Sequence, residues 1–218
     1  MKEMKVTPLT LEGAHVRLEP LTEAHQAALA AVGLDDELWR WTNAPVRTAG
    51  DMTAYVAFAL GEQLAGRALP FVIVDRATEA PIGSTRYGAI EPAHRRLEIG
   101  WTWIGRPWQR TAANTEAKYL LLRHAFETLG CIRVELKTDA LNERSRAAIG
   151  RLGAQEEGTL RRHMITASGR IRDTVYYSII ADEWAAVKLG LERRLARPSS
   201  EVPLVAAASA PPAGRYRQ

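Results

Sequence analysis

Along this chain the spacing of apolar positions switches between a period of two and one near 3.6, and each switch marks a change of element. Residues 15–21 set Val16, Leu18 and Leu21 among charged neighbours, which predicts a first strand. Thr22, followed by Glu23, then caps a helix expected to run to about Val32. Residues 35–45 carry Leu38, Trp39 and Trp41 around a short helix, and a longer helix is expected over 48–67 on Ala54, Phe58, Leu60 and Leu64. Residues 70–75, PFVIVD, are apolar almost without a break and predict a central strand covered on both faces. A strand at 81–90 returns against it across a turn at 77–80, and a third meander strand follows at 98–104.

Residues 98–126, EIGWTWIGRPWQRTAANTEAKYLLLRHAF, join that third strand to a long amphipathic helix. Polar and apolar residues alternate to Ile104, with Trp101 and Trp103 included, and Gly105 and Pro107 stop the strand. From about Asn114 the residues Ala117, Leu120, Leu121, His124, Ala125 and Leu129 recur at helical spacing, and Gly130 closes the helix. Such a corner points backbone N–H groups and the positive end of the helix dipole at the loop between Gln109 and Asn114, a setting suited to phosphate. Further on, residues 132–138 predict a strand and 141–152 a helix closed by Gly153. Residues 154–165 and 171–180 predict two strands about a turn at 167–169, and 181–195 a last helix on Trp184, Val187 and Leu191. Residues 197–218 are rich in Pro, Ala and Ser without a period, so a flexible tail is expected after a single domain at 1–196.

Composition narrows the partners. At 218 residues and 46% hydrophobic, the chain can bury one full core. Its 29 Lys and Arg against 25 Asp and Glu leave a net charge of +4, a mild preference for an anionic ligand. The charges lack the clustering of a nucleic-acid binder, so no nucleic-acid partner is expected. The single cysteine, Cys131, excludes an internal disulfide and reads as a small apolar residue entering a strand. Neither CxxC nor HExxH occurs, so no metal is expected. No apolar run has the length of a signal peptide or of a membrane span, so a soluble cytoplasmic protein without a membrane partner is expected.

Two motifs sit in this order of elements: Gln109-Arg110-Thr111-Ala112-Ala113-Asn114-Thr115-Glu116-Ala117, and Asn142-Glu143-Arg144-Ser145 with Gly153-Ala154 after it. Together they resemble the GNAT superfamily of acyl-CoA-dependent N-acyltransferases over roughly residues 10–185, nearest the RimJ/RimL branch of ribosomal-protein N-terminal acetyltransferases. The resemblance implies an α+β fold, a mostly antiparallel sheet of about seven strands flanked by helices. It implies acetyl-CoA as co-substrate, an amine acceptor that is a protein N-terminus or a small molecule, and a homodimer as an assembly the family often forms. It also implies cofactor contacts from Trp103, Ile104, Gln109, Arg110, Thr111, Ala112, Ala113, Asn114 and Thr115, and from Asn142 and Ser145. Ala112 stands where the family's usual glycine lies and Arg110 where relatives often have another, which removes backbone freedom from the phosphate loop. Arg110 either contacts a phosphate or faces water.

Acetyl transfer to an amine needs a base, a polarised carbonyl and a proton for the departing thiolate. From the position of its strand in the family, Glu98 is the candidate base; the plainer reading is a solvated strand carboxylate. Many relatives place a tyrosine seven residues after the motif asparagine, where this chain has Ile149, so the acid role falls to Ser145. A backbone N–H of the 98–104 strand would polarise the carbonyl. Trp39, Trp41 and Trp103 either wall an acceptor cleft or pack a short helix on the core. Direct attack in a ternary complex is expected, because no residue is arranged as a nucleophile. The lost glycines and tyrosine leave an alternative, a coenzyme A-binding sensor or interaction module on the same scaffold.

Overall fold

A computed structural model describes residues 4–42 and 44–196, so the tail expected at 197–218 lies outside the described residues. Among the described residues the chain runs β1 (Leu11–Glu12), β2 (Val16–Pro20), α1 (Gln26–Gly33), α2 (Asp36–Trp39), α3 (Ala49–Leu64), β3 (Leu69–Asp75), β4 (Ala80–Glu91) and β5 (Arg96–Ile104). It continues with α4 (Ala112–Arg123), β6 (Arg133–Asp139), α5 (Glu143–Leu152), β7 (Gln155–Ile165), β8 (Ile171–Ile180) and α6 (Trp184–Leu195). The strands form one sheet in the order β1-β2-β3-β4-β5-β6-β8-β7. All neighbours are antiparallel except β5 and β6. The strand beyond the seven expected is β1, which pairs Leu11 with Leu18 and Glu12 with Arg17. Two residues are too few for a period to show.

The sheet is covered on both faces. One core gathers Val16, Phe71, Leu97, Leu121, Val134, Ile179 and Leu191, and the other gathers Leu29, Trp39, Met52, Val56, Val72 and Trp103. β3 is buried at its first six positions, as its unbroken apolar run predicts.

α3 buries a different face from the one expected. Met52, Val56 and Ala59 are fully buried, whereas Phe58 is 59% and Leu64 90% exposed, and Ala54 also faces solvent. Both sets recur at helical spacing, so periodicity alone does not choose between them. Thr48 fixes the helix start by a reciprocal cap with Asp51, and the smaller set lies against the sheet. α4 begins at Ala112, two residues earlier than the pattern suggests, because Thr111 caps it by accepting from the Ala113 N–H at 3.2 Å. It ends in a π turn at His124–Thr128 before Gly130, at φ 67°, turns the chain.

Two irregularities shape the middle of the sheet. β5 and β6 pair only at Arg96 with Arg133, Leu97 with Val134 and Glu98 with Glu135, although β5 runs on to Ile104 and β6 to Asp139. Past Glu98 the two parallel strands part and open a cleft. Within β5, the register steps from Ser84–Trp103 to Arg86–Gly100, three residues against two, so β5 carries a bulge. Trp101 sits in it at φ 50° and is 44% exposed, which breaks the alternation expected for 98–104.

Candidate active site

The apex of the cleft holds an ion pair between a buried carboxylate and a half-buried ammonium. Glu98 is 3% exposed, and its carboxylate takes the Lys137 ammonium at 2.7 Å. Gly100 makes the room, since a Cβ there would come within 2.7 Å of a Glu98 carboxylate oxygen. Burial raises the Glu98 carboxyl above its ordinary value, with the Lys137 charge acting in the opposite sense. Burial also works against the Lys137 charge, but the charge and hydrogen bond of Glu98 outweigh it and hold that ammonium protonated. Glu98 is therefore no solvated strand carboxylate.

A second cation, this one buried, approaches from α4. Lys118 donates to Thr102 Oγ1 at 2.6 Å, and Thr102 Oγ1 shares a hydrogen bond of 2.7 Å with Thr85 Oγ1. Burial takes the Lys118 pKa from 10.5 down to about 7, with the Glu98 charge pulling the other way. Lys118 was a signal in plain view, because it shares the helical stripe of Leu121 and Ala125 where an apolar residue is the norm. At the free end of β6, Asp139 is buried against Arg170 and, at 3.9 Å, Arg172.

The corner between β5 and α4 is built from the first motif. Gln109 Nε2 donates to the Ile104 carbonyl at 2.8 Å and its Oε1 accepts from Arg144 at 2.6 Å, lacing the loop to β5 and α5. Arg110 takes the left-handed conformation, φ 65°, so the need for glycine falls there; Ala112 is an ordinary first helical residue. Thr111 Oγ1 donates to the Trp108 carbonyl at 2.7 Å while capping the helix. Ala113 is buried in the core, and Asn114 and Thr115 are half-buried in the first turn. Glu116 of the Thr-Glu-Ala run is structural: it accepts from the N–H groups of Ala14, His15 and Val16 at 2.9, 2.6 and 2.7 Å. A twelve-residue helix, its open first turn and the exposed Arg110 and Arg144 beside it suit a diphosphate.

The second motif opens α5. Asn142 is its N-cap, with Oδ1 accepting from the Ser145 N–H at 3.0 Å, which leaves the Nδ2 donors for another group. Ser145 is half-buried in the first turn, and Ile149 is a core residue at 6% exposure.

The tryptophans divide. Trp39 is 4% exposed, donates to the Gly33 carbonyl at 2.7 Å and packs on Tyr55 and Trp103, so it walls no cleft. The indole of Trp103 is equally buried, donating to Tyr55 Oη at 3.3 Å. Trp103 and Ile104 can therefore meet a ligand through the main chain of β5 only. Trp41 is half-buried between the guanidinium groups of Arg40 and Arg170. Cys131 is buried, its thiol pushed up to about 11 by that burial, as suits a packing residue.

Residues 15–155 match the family model of the acetyltransferase (GNAT) domain. Over 99 residues the chain is 35% identical to "Putative ribosomal N-acetyltransferase YdaF" of Bacillus subtilis (strain 168), covering 45% of this chain and 53% of that protein. The chain thus spans about half the length of that relative. The fold is similar to a GCN5-related N-acetyltransferase from Brucella melitensis, with TM-score 0.82, 32% identity and 89% and 88% of the two chains covered. It is also similar to Mycobacterium smegmatis RimJ, solved in complex with CoA-disulfide, with TM-score 0.75, 25% identity and 86% and 95% covered. The domain match, the opened β5–β6 pair and the capped corner at α4 agree: the chain belongs to the GNAT family and is an acetyl-CoA-dependent acyltransferase.

Proposed function

We propose that this protein is an N-acetyltransferase that moves an acetyl group from acetyl-CoA to a primary amine, either a protein N-terminus or a small molecule. The observation that carries the reading is the parting of β5 and β6 after three pairs, with Glu98 and Lys137 at the apex and the start of α4 at the mouth. The name of YdaF, a ribosomal N-acetyltransferase, favours a protein acceptor. When bound, acetyl-CoA supplies an activated acetyl group that an amine takes directly, and coenzyme A leaves as the thiol.

The first-turn amides of α4 and the Thr111 cap would hold the diphosphate, with Arg110 and Arg144 adding charge and Gln109 keeping the loop in place. Asn142 would offer Nδ2 to the amides of the pantetheine arm, and the main chain of Trp103 and Ile104 would line its path. Glu98 takes the proton of the acceptor ammonium, its raised pKa bringing it nearer the range where such an exchange is efficient, and Lys137 fixes the carboxylate. Lys118 is a second proton carrier within reach of Thr102. The bulge at Trp101 takes a main-chain N–H out of the ladder, where it serves as the oxyanion donor. Ser145 stabilises the departing sulfur through its hydroxyl.

The reading places residues 1–196 in one acetyltransferase domain working in the cytoplasm. A homodimer would form along β7, an edge strand exposed at ten of its eleven positions. The experiment is mass spectrometry of peptides and small amines after incubation with the protein and acetyl-CoA. One acetyl group on an acceptor amine is the expected product. Binding of acetyl-CoA with no acetylated amine would favour a sensor instead, and labelled acetyl retained on the denatured protein would overturn direct attack.

A further inference from the structure

We infer that the acceptor carries a carboxylate and that Arg86 receives it, an inference that rests on the N-acetyltransferase reading above. Arg86 lies in β4 and projects to the α3 face of the sheet. It is 1% exposed, yet Nε, Nη1 and Nη2 all lack a hydrogen-bond partner among the described residues. Its close company is aromatic, with the rings of Tyr55 and Trp101 each 5.2 Å from the guanidinium carbon. The acid on the facing helix, Glu62, is already engaged by Arg67 at 2.6 Å. A buried guanidinium with its donors unspent is costly, and two cation–π contacts do not replace hydrogen bonds. A fold that keeps such a group has a partner for it that arrives from outside.

Three further observations show where that partner sits. A cavity of about 280 Å³ opens at this point, and Phe58, Arg86, Gly88, Glu91 and Trp101 are among its lining residues. The two large aromatic side chains that the fold leaves exposed on this face, Phe58 at 59% and Trp101 at 44%, are its walls. Trp101 is also its cover. Gly88 leaves the space the indole fills, since a Cβ there would meet the ring at 2.3 Å. The residue is held at φ 50° on the β5 bulge, and backbone strain of this kind gathers at ligand clamps and moving parts. When the indole swings off, the guanidinium fork faces the cavity.

The cavity adjoins the apex of the cleft. The Trp101 ring that covers Arg86 also lies 5.8 Å from Lys137 Nζ, which is bonded to Glu98 at 2.7 Å. An acceptor with its amine at Glu98 can therefore extend a carboxylate to Arg86. The planar fork matches a carboxylate in two parallel hydrogen bonds, and Glu62 and Glu91 at the rim oppose a more highly charged phosphate. The carboxylate has two sources, the α-carboxylate of a free amino acid or an acidic side chain near a peptide N-terminus.

The test compares kcat/KM of the wild-type protein for matched acceptors. One arm uses free amino acids against their carboxamides, and the other uses peptides with aspartate against asparagine at the second position. The carboxylate member is expected to be better by roughly 10- to 100-fold, the worth of one charge-assisted hydrogen bond. An advantage in the first arm identifies the free α-carboxylate, and one in the second the acidic side chain. Arg86→Gln should bring the carboxylate acceptor down to its amide without changing acetyl-CoA affinity. Should that variant fail to fold, phenylacetate, which has no amine, should still compete with the acceptor on the wild type, while phenylacetamide should not. Equal kcat/KM within both pairs overturns the inference and leaves acetyl transfer standing. Absence of acetylation of every amine defeats the parent reading.

Discussion

Lys137 reaches back 2.7 Å to Glu98 across the last residues that β5 and β6 share before they part. Glu98 is buried and Lys137 half-buried, so the proposed proton acceptor stands where the two strands stop pairing. Replacing Glu98 by Gln removes the acceptor of that proton while nearly conserving volume. Turnover should fall by about 10²- to 10⁴-fold, the usual contribution of a positioned base, with acetyl-CoA affinity unchanged by calorimetry. Full turnover in Glu98→Gln would remove the base role.

Arg110 is expected to separate backbone strain from charge. Its φ of 65° suits glycine and opposes a β-branched residue. Arg110→Val should lower stability by about 1–2 kcal/mol in thermal unfolding, and Arg110→Gly should not. Both lose the guanidinium, so both should weaken acetyl-CoA binding, by about tenfold if Arg110 meets a phosphate. Unchanged affinity in both variants would place the side chain in water.

Glu116 holds the turn before β2 against α4 through three main-chain N–H groups while 5% exposed. Glu116→Ala leaves the buried Val16 N–H unanswered and frees the two part-buried ones beside it, at a cost of about 1–3 kcal/mol. Gly13→Ala presses on the same carboxylate, with a Cβ 2.5 Å from it, and should cost about 1–3 kcal/mol. Denaturant titration measures both, and a neutral Gly13→Ala would mean that the turn yields.

The strand, corner and helix of residues 98–126 were legible in the sequence because the apolar period changes there and Gly105, Pro107 and Gly130 punctuate it. The closure of α5 at Gly153, whose φ is 96°, was legible for the same local reason. What the sequence left open depends on neighbours distant along the chain. Whether α3 buries Phe58 or Val56 is decided by the sheet it lies on, and the Trp101 bulge by the register of β4 against β5. Glu98 reads as a surface residue until Gly100 and Lys137 are seen to close around it. Arg86 and Lys118 carry no local mark of burial beyond lying where an apolar side chain would pack.

Lys118 gives the stability curve a definite sign. Its folded pKa is about 7 against 10.5 for the free side chain, so between those values the unfolded chain binds more protons. The Lys118 contribution to stability should therefore rise with pH from about 7 to 10.5 and be flat below that window, where both states are charged. Lys118→Met should remove this rise in denaturant titrations across pH. A rise of the same size in Lys118→Met would assign it to other groups.

On the proposed function, the corner between β5 and α4 grips acetyl-CoA through its amides. Amide hydrogen exchange on the full chain, with and without saturating acetyl-CoA, reads this directly. Strong added protection is expected at residues 110–115 and at the start of α5. Exchange at those amides that acetyl-CoA leaves unchanged would contradict it.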